Sequence, residues 1–418
     1  MEKPELFSNR KEFLYFSLVL LILLSVHLSF KFYHYQQFIS KPFYYTYAKV
    51  ITSYSKTKNR KTYQVLKLYS EEGFRFYTTT HRKESFNHKR LRLQIFPNET
   101  VGFTDYLGTF YVKSKIKNQE KIAPSLKDKL VEYIANQHDD TALQSFYNAI
   151  FFATPLQRSL REKISMLGVS HLVALSGFHL GILWGLIYGV FLLIYRPFQQ
   201  KYFPYRQALF DVGLIVIVIL GMYVWFVDFP PSLVRSYAMV FLGWIVLLSG
   251  IKLLSFTFLT TILLLLVVIF PSLLVSLSFW FSVAGVFYIF VLLQYTQKFS
   301  SWVVSLVIIP LGIFILMLPI VHMLFGLTSI YQLLSPLLSV LFIIFYPLVM
   351  GLHLLGIGGV LDSVLLWLFS LPQNGVETLL SPWVVLGYII VSLGAIWYRK
   401  MFYLLLGIAT VYGGYLFF

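Results

Sequence analysis

The stretch Gly168-Val-Ser-His-Leu-Val-Ala-Leu-Ser-Gly-Phe-His-Leu-Gly181 places His171, Ser176 and His179 inside sequence that is otherwise apolar. A strongly polar or ionisable group in hydrocarbon costs several kcal/mol unless it faces a partner or a wet cavity. We therefore predict that this segment lines a polar passage at membrane depth.

A single helix over residues 171–189 would bring the polar groups to one side. At about 100° per residue, His171 and His179 lie within about 80° of each other, and Ser176 lies about 60° beyond. Another side carries glycines four residues apart, a pattern that lets a neighbouring helix approach closely: Gly177, Gly181 and Gly185.

The composition is that of a polytopic membrane protein. Of 418 residues, 57% are hydrophobic and 12% charged, and the mean hydropathy is +0.71. The absence of cysteine excludes disulfides and thiolate metal sites. The net charge is +16, and residues 31–163 carry +12 of it, from 23 Lys and Arg against 11 Asp and Glu.

Apolar runs predict about eleven spans. The first, Phe13–Phe30, has no small-residue cleavage site and is predicted to be a retained anchor, within a first segment of residues 1–30. Re-entrant segments are an alternative between residues 326 and 360. The other predicted spans are 167–194, 207–227, 233–250, 254–270, 273–296, 301–323, 331–350, 353–371, 380–398 and 401–418.

The connecting charges predict the orientation. With a cytoplasmic N-terminus, every second connection holds the Lys and Arg residues, and the opposite connections hold none, which is the positive-inside pattern. This places residues 31–165 outside the cytoplasm of a multi-pass membrane protein. The charges on the cytoplasmic side are Arg196, Lys201, Arg206, Lys252, Lys298, Arg399 and Lys400.

Residues 31–118 are predicted to form a small β domain. Arg90–Phe96 alternates apolar and polar residues strictly, as a half-buried strand does. Five strands in so short a segment favour a small barrel of the OB type. The predicted strands are 43–54, 61–69, 74–80, 90–96 and 109–116.

The β domain is rich in cations and aromatic rings, the two features of a single-strand binding groove. A solvated face or contact with anionic lipid would have the same composition. The candidate DNA contacts are Lys61, Arg82, Lys83, Lys89, Arg90 and Arg92, with Tyr54, Tyr63, Phe74, Phe76 and Tyr77 as candidate stacking rings.

Residues 119–165 change to a helical period and predict amphipathic helices, before a polytopic domain over 166–418. Asp140 is predicted to cap one helix, and Thr154-Pro155 to begin the next. These helices either lie on the membrane or pack between the β domain and the spans.

A second polar cluster follows the third predicted span. In Asp228-Phe-Pro-Pro-Ser-Leu-Val-Arg235, Pro231 breaks the chain and Ser232 is predicted to cap the next helix. Arg235 then either extends to the membrane surface, pairs with Asp228, or faces a passing anion, which suits a permanently charged guanidinium.

Other chemistries remain open for the histidines. Ser176 and His179 have the spacing for contact in a hydrolase, yet no acidic orienting group is evident. A zinc site would require His322, His353 or Asp362 to converge with the other histidines. The polar groups could also only hydrogen-bond neighbouring helices.

These motifs, in this order, resemble those of the ComEC family of competence proteins. Leu160–Gly181 is similar to the central signature of the family, and Pro231–Arg235 to the second. Pro271–Val286 matches a third loosely, with Phe279-Trp280-Phe281-Ser282 where Phe-Gln-Leu-Ser is usual. Phe325–Pro347 matches a fourth, with Ser335-Pro336 where an asparagine is common.

The resemblance implies an inner-membrane channel that passes single-stranded DNA into the cytoplasm, lined by His171, Ser176, His179 and Arg235. It also implies a periplasmic DNA receptor and a cytoplasmic helicase-like ATPase as partners, beside membrane lipid. No enzymatic activity and no cofactor are expected. The metallo-β-lactamase-like domain of many relatives is not expected, since the sequence has no H-x-H-x-D-H motif. A small-anion transporter and an intramembrane Ser/His hydrolase are the alternatives.

Overall fold

The computed structural model describes residues 6–7, 9–58, 61–82, 84, 86, 89–250, 255–372 and 374–417. They form two compact units. One unit, the sheet unit, contains residues 7–129 and 260–279. The other, the bundle unit, contains most of the remaining helices, in residues 130–259 and 280–418.

The sheet unit begins with a long helix, α1 (Arg10–Ile39), which extends beyond the predicted span at both ends. Asn9 caps it by accepting a hydrogen bond from the Glu12 backbone at 2.9 Å. The last turns of α1 lie beyond the predicted span and pack into the core of the sheet, where Phe38 is buried. The Tyr35 hydroxyl fixes this end by donating to the Val101 carbonyl at 2.8 Å.

The β strands predicted from alternation are all present. The last one forms in two pieces, because Val112 interrupts it. The sheet order is β5-β3-β2-β1-β4-β6, and a short helix α2 (Phe103–Leu107) precedes β5. The strands are β1 (Tyr44–Lys58), β2 (Lys61–Ser70), β3 (Arg75–Thr80), β4 (Lys89–Phe96), β5 (Thr109–Tyr111) and β6 (Lys113–Lys121).

The segment 109–121 borders both ends of the sheet. Its first piece, β5, pairs in parallel with β3, and its second piece, β6, pairs antiparallel with β4. Between them the Val112 amide donates to the Tyr77 carbonyl at 2.9 Å. The side chains on the inner face are fully buried, including Leu66, Leu68, Phe76, Leu91, Leu93 and Ile95.

Three short helices precede the spans: α3 (Leu126–Ala135), α4 (Thr141–Phe152) and α5 (Arg158–Met166). Asp140 caps α4 as predicted, accepting from the Ala142 amide at 2.6 Å. The helix start predicted at Thr154-Pro155 is wrong, since α5 begins at Arg158. Ala153 ends α4 with a φ of 57°, and the following residues stay extended until the Gln157 amide donates to Ser145 Oγ at 2.9 Å.

Seven helices among the described residues are long and apolar enough to cross a membrane: Arg10–Ile39, Gly177–Tyr202, Ala208–Phe226, Leu277–Tyr295, Ser301–Val321, Ile330–Leu354 and Arg399–Phe417. Four shorter apolar helices accompany them: Ser232–Leu248, Phe256–Ile269, Gly358–Ser370 and Pro382–Gly394. The chain is therefore a largely helical membrane protein with a small sheet near its N-terminus. The total of eleven spans stays a prediction.

The span predicted at 353–371 is replaced by a short helix. Residues 327–377 begin and end in a two-stranded ribbon, which joins Leu327 to Glu377. The helix that precedes the second ribbon strand, Asp362–Ser370, has only 9 residues, about 14 Å, less than half of a hydrocarbon core.

The helices of the bundle unit after α5 are α6 (Ser170–Val173), α7 (Gly177–Tyr202), α8 (Ala208–Phe226), α9 (Pro231–Leu248), α10 (Phe256–Ile269, shared with the sheet unit), α11 (Leu277–Tyr295), α12 (Ser301–Val303), α13 (Ile309–Val321), α14 (Ser335–Leu354), α15 (Asp362–Ser370), α16 (Pro382–Gly394) and α17 (Arg399–Phe417). The ribbon strands are β7 (Leu327–Thr328) and β8 (Val376–Glu377).

Candidate channel-lining site and nucleic-acid interface

The predicted helix over residues 171–189 is broken at Ala174–Ser176. Helix α6 ends at Val173, and α7 starts again at Gly177. Ser176 stabilises the new helix start, because its extended backbone and its side chain form the cap of α7, with Oγ accepting from the Phe178 amide at 3.3 Å. His171 and His179 therefore lie on two different helices, and the periodicity that placed them on one face is wrong.

The loop before the break is clamped from the fourth motif. Gly168 has a φ of +69°, which a residue with a side chain rarely adopts. Ser335 Oγ donates to the Gly168 carbonyl at 2.9 Å, and Gln332 Nε2 donates to the Ser165 carbonyl at 3.3 Å. An added Cβ at Gly168 would lie 3.3 Å from side-chain atoms of both Gln332 and Ser335. This loop thus requires glycine for its backbone conformation and for its packing.

The second motif holds the break from another side. Ser232 does not cap α9, whose N-cap is Pro230; it donates its hydroxyl to the Leu175 carbonyl at 2.8 Å. That carbonyl lies in the break, where the helix leaves it without a partner of its own. Pro231 is the first residue of α9, as the proline preference at this position would have indicated.

Only one of the three predicted packing glycines allows a close approach between helices. A Cβ at Gly177 would lie 3.2 Å from Ser236 Oγ on α9, so α7 and α9 touch there. At Gly181 and Gly185 a Cβ would meet no atom within 4 Å among the residues that the structure describes. For these two residues the predicted helix contact is wrong within the described part of the chain.

His171 and Ser176 differ in how far the protein buries them. His171 is exposed, and its Nε2 lies 3.1 Å from Ser339 Oγ on α14. Ser176 is partly buried by its capping role. His171 lies in α6 before the break and Ser176 is the last residue of the break, and both carry polar side-chain atoms there.

His179 and Arg235 are buried, contrary to the prediction that all four groups face a hydrated passage. His179 is 0% exposed, and its ring lies edge-on to Phe342 and Tyr346 with centroids 5.1 and 4.9 Å away. Arg235 is 4% exposed, so it does not extend to the membrane surface. In this conformation neither side chain lines an open pore.

The geometry gives little support to hydrolysis or to a metal centre. Ser176 Oγ lies 3.4 Å from His179 Nδ1, a long contact, while it also caps α7. The rings that flank His179 are those of Phe342 and Tyr346, and neither can orient it as a carboxylate orients a catalytic base. Within the described ranges, no three His, Asp or Glu side chains are placed to hold a metal ion.

The outer face of the sheet carries a ladder of tyrosines and cations, here called the tyrosine–arginine face. Arg92 pairs with Tyr47 across β4 and β1, and Arg75 with Tyr69 across β3 and β2. The Arg90 guanidinium lies 4.7 Å from the centre of the Tyr47 ring. The full set is Tyr45, Tyr47, Lys67, Tyr69, Arg75, Tyr77, Arg90 and Arg92, linked by cation–π contacts of 4.7 to 5.9 Å.

Only some of the cations predicted to contact DNA lie on the tyrosine–arginine face. Arg90 and Arg92 belong to the face, although Arg90 is also ion-paired with Glu71. Lys89 instead pairs with Glu84 at 3.0 Å. The side chain of Lys61 and the whole of Lys83 lie outside what the structure describes.

Arg82 lines a groove of about 420 Å³ between β3 and β6. The groove presents hydroxyls and cations together, a lining that suits phosphate. Its residues are Thr78, Thr79, Thr80, His81, Arg82, Ser114, Lys115, Ile116 and Lys117.

Two of the aromatic residues predicted to stack on DNA bases belong to the core of the sheet. Phe76 is fully buried and Phe74 packs against the same core, so neither is available to a base. Tyr45 and Tyr69, which are 46% and 45% exposed, were missed. Alternation along the strand could have identified Tyr45, because Tyr45 and Tyr47 alternate with the inward-facing Thr46 and Ala48 and therefore face outward.

Together these features define a polytopic membrane protein with a helix broken at a polar site and a basic, tyrosine-rich sheet. The chain belongs to the competence protein family, whose sequence profile matches residues 154–414. All three motifs around the break fall within the match. The family acts in DNA uptake for competence, so DNA is a partner of this protein. No curated protein and no solved structure matches the chain.

Proposed function

We propose that this protein is a channel that conducts single-stranded DNA across the inner membrane during natural transformation. The observation that carries the proposal is the helix break at Ala174–Ser176, around which two distant motifs converge through Ser232 and Ser335. Non-helical backbone is tolerated at membrane depth only where protein or a water-filled cavity surrounds it. Broken helices of this kind supply the polar sites of many transporters.

The lining proposed for the open channel is His171, Ser176, His179 and Arg235. Phosphates cannot cross hydrocarbon, so the path needs hydrogen-bonding and cationic walls. Because His179 and Arg235 are buried here, this conformation corresponds to a closed state. Opening would require α9 and α14 to move away from α7, exposing both side chains to the strand.

The sheet unit is proposed to close into an OB-type barrel that gathers the strand. Support comes from the segment 109–121, which pairs with both β3 and β4 and so links the two ends of the sheet. Bases would stack on the tyrosine–arginine face, and phosphates would contact Arg90, Arg92 and the groove at Arg82. Lys61, Lys83 and Lys89 remain candidate contacts.

The proposed orientation follows the charge pattern, with a cytoplasmic N-terminus and residues 31–165 outside the cytoplasm. A periplasmic receptor would deliver DNA, and a cytoplasmic helicase-like ATPase would pull it, because the sequence has no Walker A motif of its own. The protein itself is proposed to do no covalent chemistry. Membrane lipid is its other partner.

Fluorescent DNA tests the channel proposal in transformable cells of the source organism. Deleting the gene should leave labelled DNA outside the inner membrane, while a plasmid copy should restore entry and transformation. Full transformability of the deletion strain would overturn the proposal. In complemented cells, Ser176→Ala should retain partial uptake, whereas complete loss with a normal amount of folded protein would favour the hydrolase. Competition by mononucleotides but not by long strands would favour the small-anion transporter.

A further inference from the structure

A chain of three ionisable side chains joins the turn after α3 to the junction of α14 and α15. His138 Nδ1 lies 2.9 and 3.0 Å from the carboxylate oxygens of Asp362. On its other side, His138 Nε2 lies 2.9 Å from His353 Nε2. His353 Nδ1 then lies 2.6 Å from the Val349 carbonyl oxygen. We call Asp362, His138 and His353 the proton chain.

Both imidazoles are enclosed by protein. His138 is 4% exposed and His353 is 1% exposed, whereas Asp362 is partly exposed and forms the outer end. The Tyr147 ring stacks on His138, with centroids 4.4 Å apart and planes 9° apart. Gln137 brackets His353, donating from Nε2 to its carbonyl at 3.1 Å and accepting from the Gly358 amide at 2.9 Å.

Among the described groups in contact with the two imidazoles, Asp362 and Tyr147 are titratable. Burial, and secondly the charge of Asp362, raises the pKa of Tyr147, so the phenol stays neutral. The other polar neighbours, Gln137 and Gln144, carry no charge. Asp362 is therefore the charged partner of the two histidines.

The hydrogen bonds determine where the protons lie. A carbonyl oxygen only accepts, so His353 Nδ1 must carry a hydrogen, and its Nε2 in the neutral ring is an acceptor. His138 Nε2 must then be the donor between the two rings. A neutral His138 would thus turn the bare lone pair of Nδ1 toward an ionised carboxylate. One further proton, held between His138 Nδ1 and Asp362, resolves this conflict.

We propose that the proton chain is a proton-binding site that fastens the turn at residues 136–140 to the α14–α15 junction. With one proton beyond two neutral rings and a carboxylate, every bond in the chain has a donor and an acceptor. Loss of that proton leaves a lone pair against the carboxylate. Gain of a second proton places two N–H groups against each other between His138 and His353. The fastening is therefore strongest at an intermediate pH.

The sign of the pH dependence follows from the proton counts. By the proposal, the folded chain holds its one proton where the unfolded chain has released it, so stability falls as the pH rises on the alkaline side. On the acid side the unfolded chain takes up more protons than the single one of the site, so stability rises with pH. Each limb corresponds to about a tenfold change in the folding equilibrium per pH unit.

The test compares full-length protein in detergent with two variants across pH 4.5 to 9.5, by following the midpoint of thermal unfolding. Asp362→Asn supplies an amide N–H to His138 Nδ1 and needs no extra proton, so the fall at alkaline pH should disappear. The matched control Asp139→Asn, at an exposed neighbouring carboxylate, should retain the wild-type profile. An Asp362→Asn profile parallel to wild type at alkaline pH would overturn the proposal.

A second measurement keeps the proposal testable if Asp362→Asn does not fold. In wild-type protein with ¹⁵N-labelled histidine, a coupling across the His138–His353 hydrogen bond should be present near neutral pH. The ¹⁵N chemical shift of His138 Nδ1, which faces Asp362, should be that of a protonated ring nitrogen at the same pH. An unprotonated His138 Nδ1 near neutral pH, or the absence of the coupling there, would refute the proton-binding site.

Discussion

Ser335 Oγ donates a hydrogen bond to the Gly168 carbonyl oxygen at 2.9 Å, although 167 residues separate them in the chain. The bond ties the start of α14 to the loop that precedes the helix break. Ser232 makes the equivalent bond from α9 to the Leu175 carbonyl. Two hydroxyls from distant motifs thus bond backbone carbonyls in the loop before α6 and in the break, which helps to hold this non-helical backbone in place.

Gly168→Ala should destabilise the protein through both backbone conformation and packing. The left-handed backbone costs a side-chain residue about 1–2 kcal/mol, and the new Cβ would crowd Gln332 and Ser335 at 3.3 Å. Thermal unfolding in detergent measures the loss. Gly250→Ala is the matched control, because its φ is +70° but its Cβ would meet no atom of the described residues within 4 Å. Equal losses in the two variants would show that the loop is not clamped.

Gly177→Ala should reduce DNA uptake more than Gly181→Ala. The first adds a Cβ 3.2 Å from Ser236 Oγ at the contact of α7 with α9, and the second adds one in open space. Transformation frequency, normalised to protein amount in the membrane, is the measurement. Ser236→Ala in the Gly177→Ala background removes the crowded oxygen and should restore part of the activity. If Gly181→Ala were the more harmful change, the open glycine side of α7 would be the functional one.

Arg92→Gln and Tyr47→Ala should both weaken binding of single-stranded DNA by the full-length protein, in distinguishable ways. Loss of a stacking ring costs about 1–3 kcal/mol per base. Loss of a phosphate contact should lower the slope of log affinity against log salt by about one. Fluorescence anisotropy with a labelled oligonucleotide at several salt concentrations measures both effects.

Lys113→Gln removes one charge from β6 opposite Phe96, outside the set of residues that makes up the tyrosine–arginine face, and is the control for Arg92→Gln. It should leave the affinity nearly unchanged, since Lys113 lies opposite Phe96, at the end of β4 and beyond the ring–cation contacts of Arg90 and Arg92. A loss equal to that of Arg92→Gln would mean that the domain binds DNA through overall charge and not through this face.

The sheet was predictable from sequence because strict alternation, as in Leu91, Leu93 and Ile95, records which face is buried. The helix break was not, because Ser176-Gly177 is a weak signal inside an apolar run and the groups that stabilise it come from α9 and α14. The proton chain was missed for the same reason, since 215 residues separate His138 from His353. Local pattern predicts elements, whereas these contacts depend on the tertiary fold.

His179→Phe separates packing from channel lining. The His179 ring is buried against Phe342 and Tyr346, and its Nε2 has no hydrogen-bond partner among the described residues, so phenylalanine should fit and preserve or raise the unfolding temperature. If α14 moves away when the channel opens, the imidazole becomes part of a hydrated wall, and its replacement by an apolar ring should slow DNA entry several-fold. Entry of fluorescent DNA and thermal unfolding, measured on the same variant, decide between the two roles. A stable variant with wild-type uptake would leave His179 as a core residue and remove it from the proposed lining.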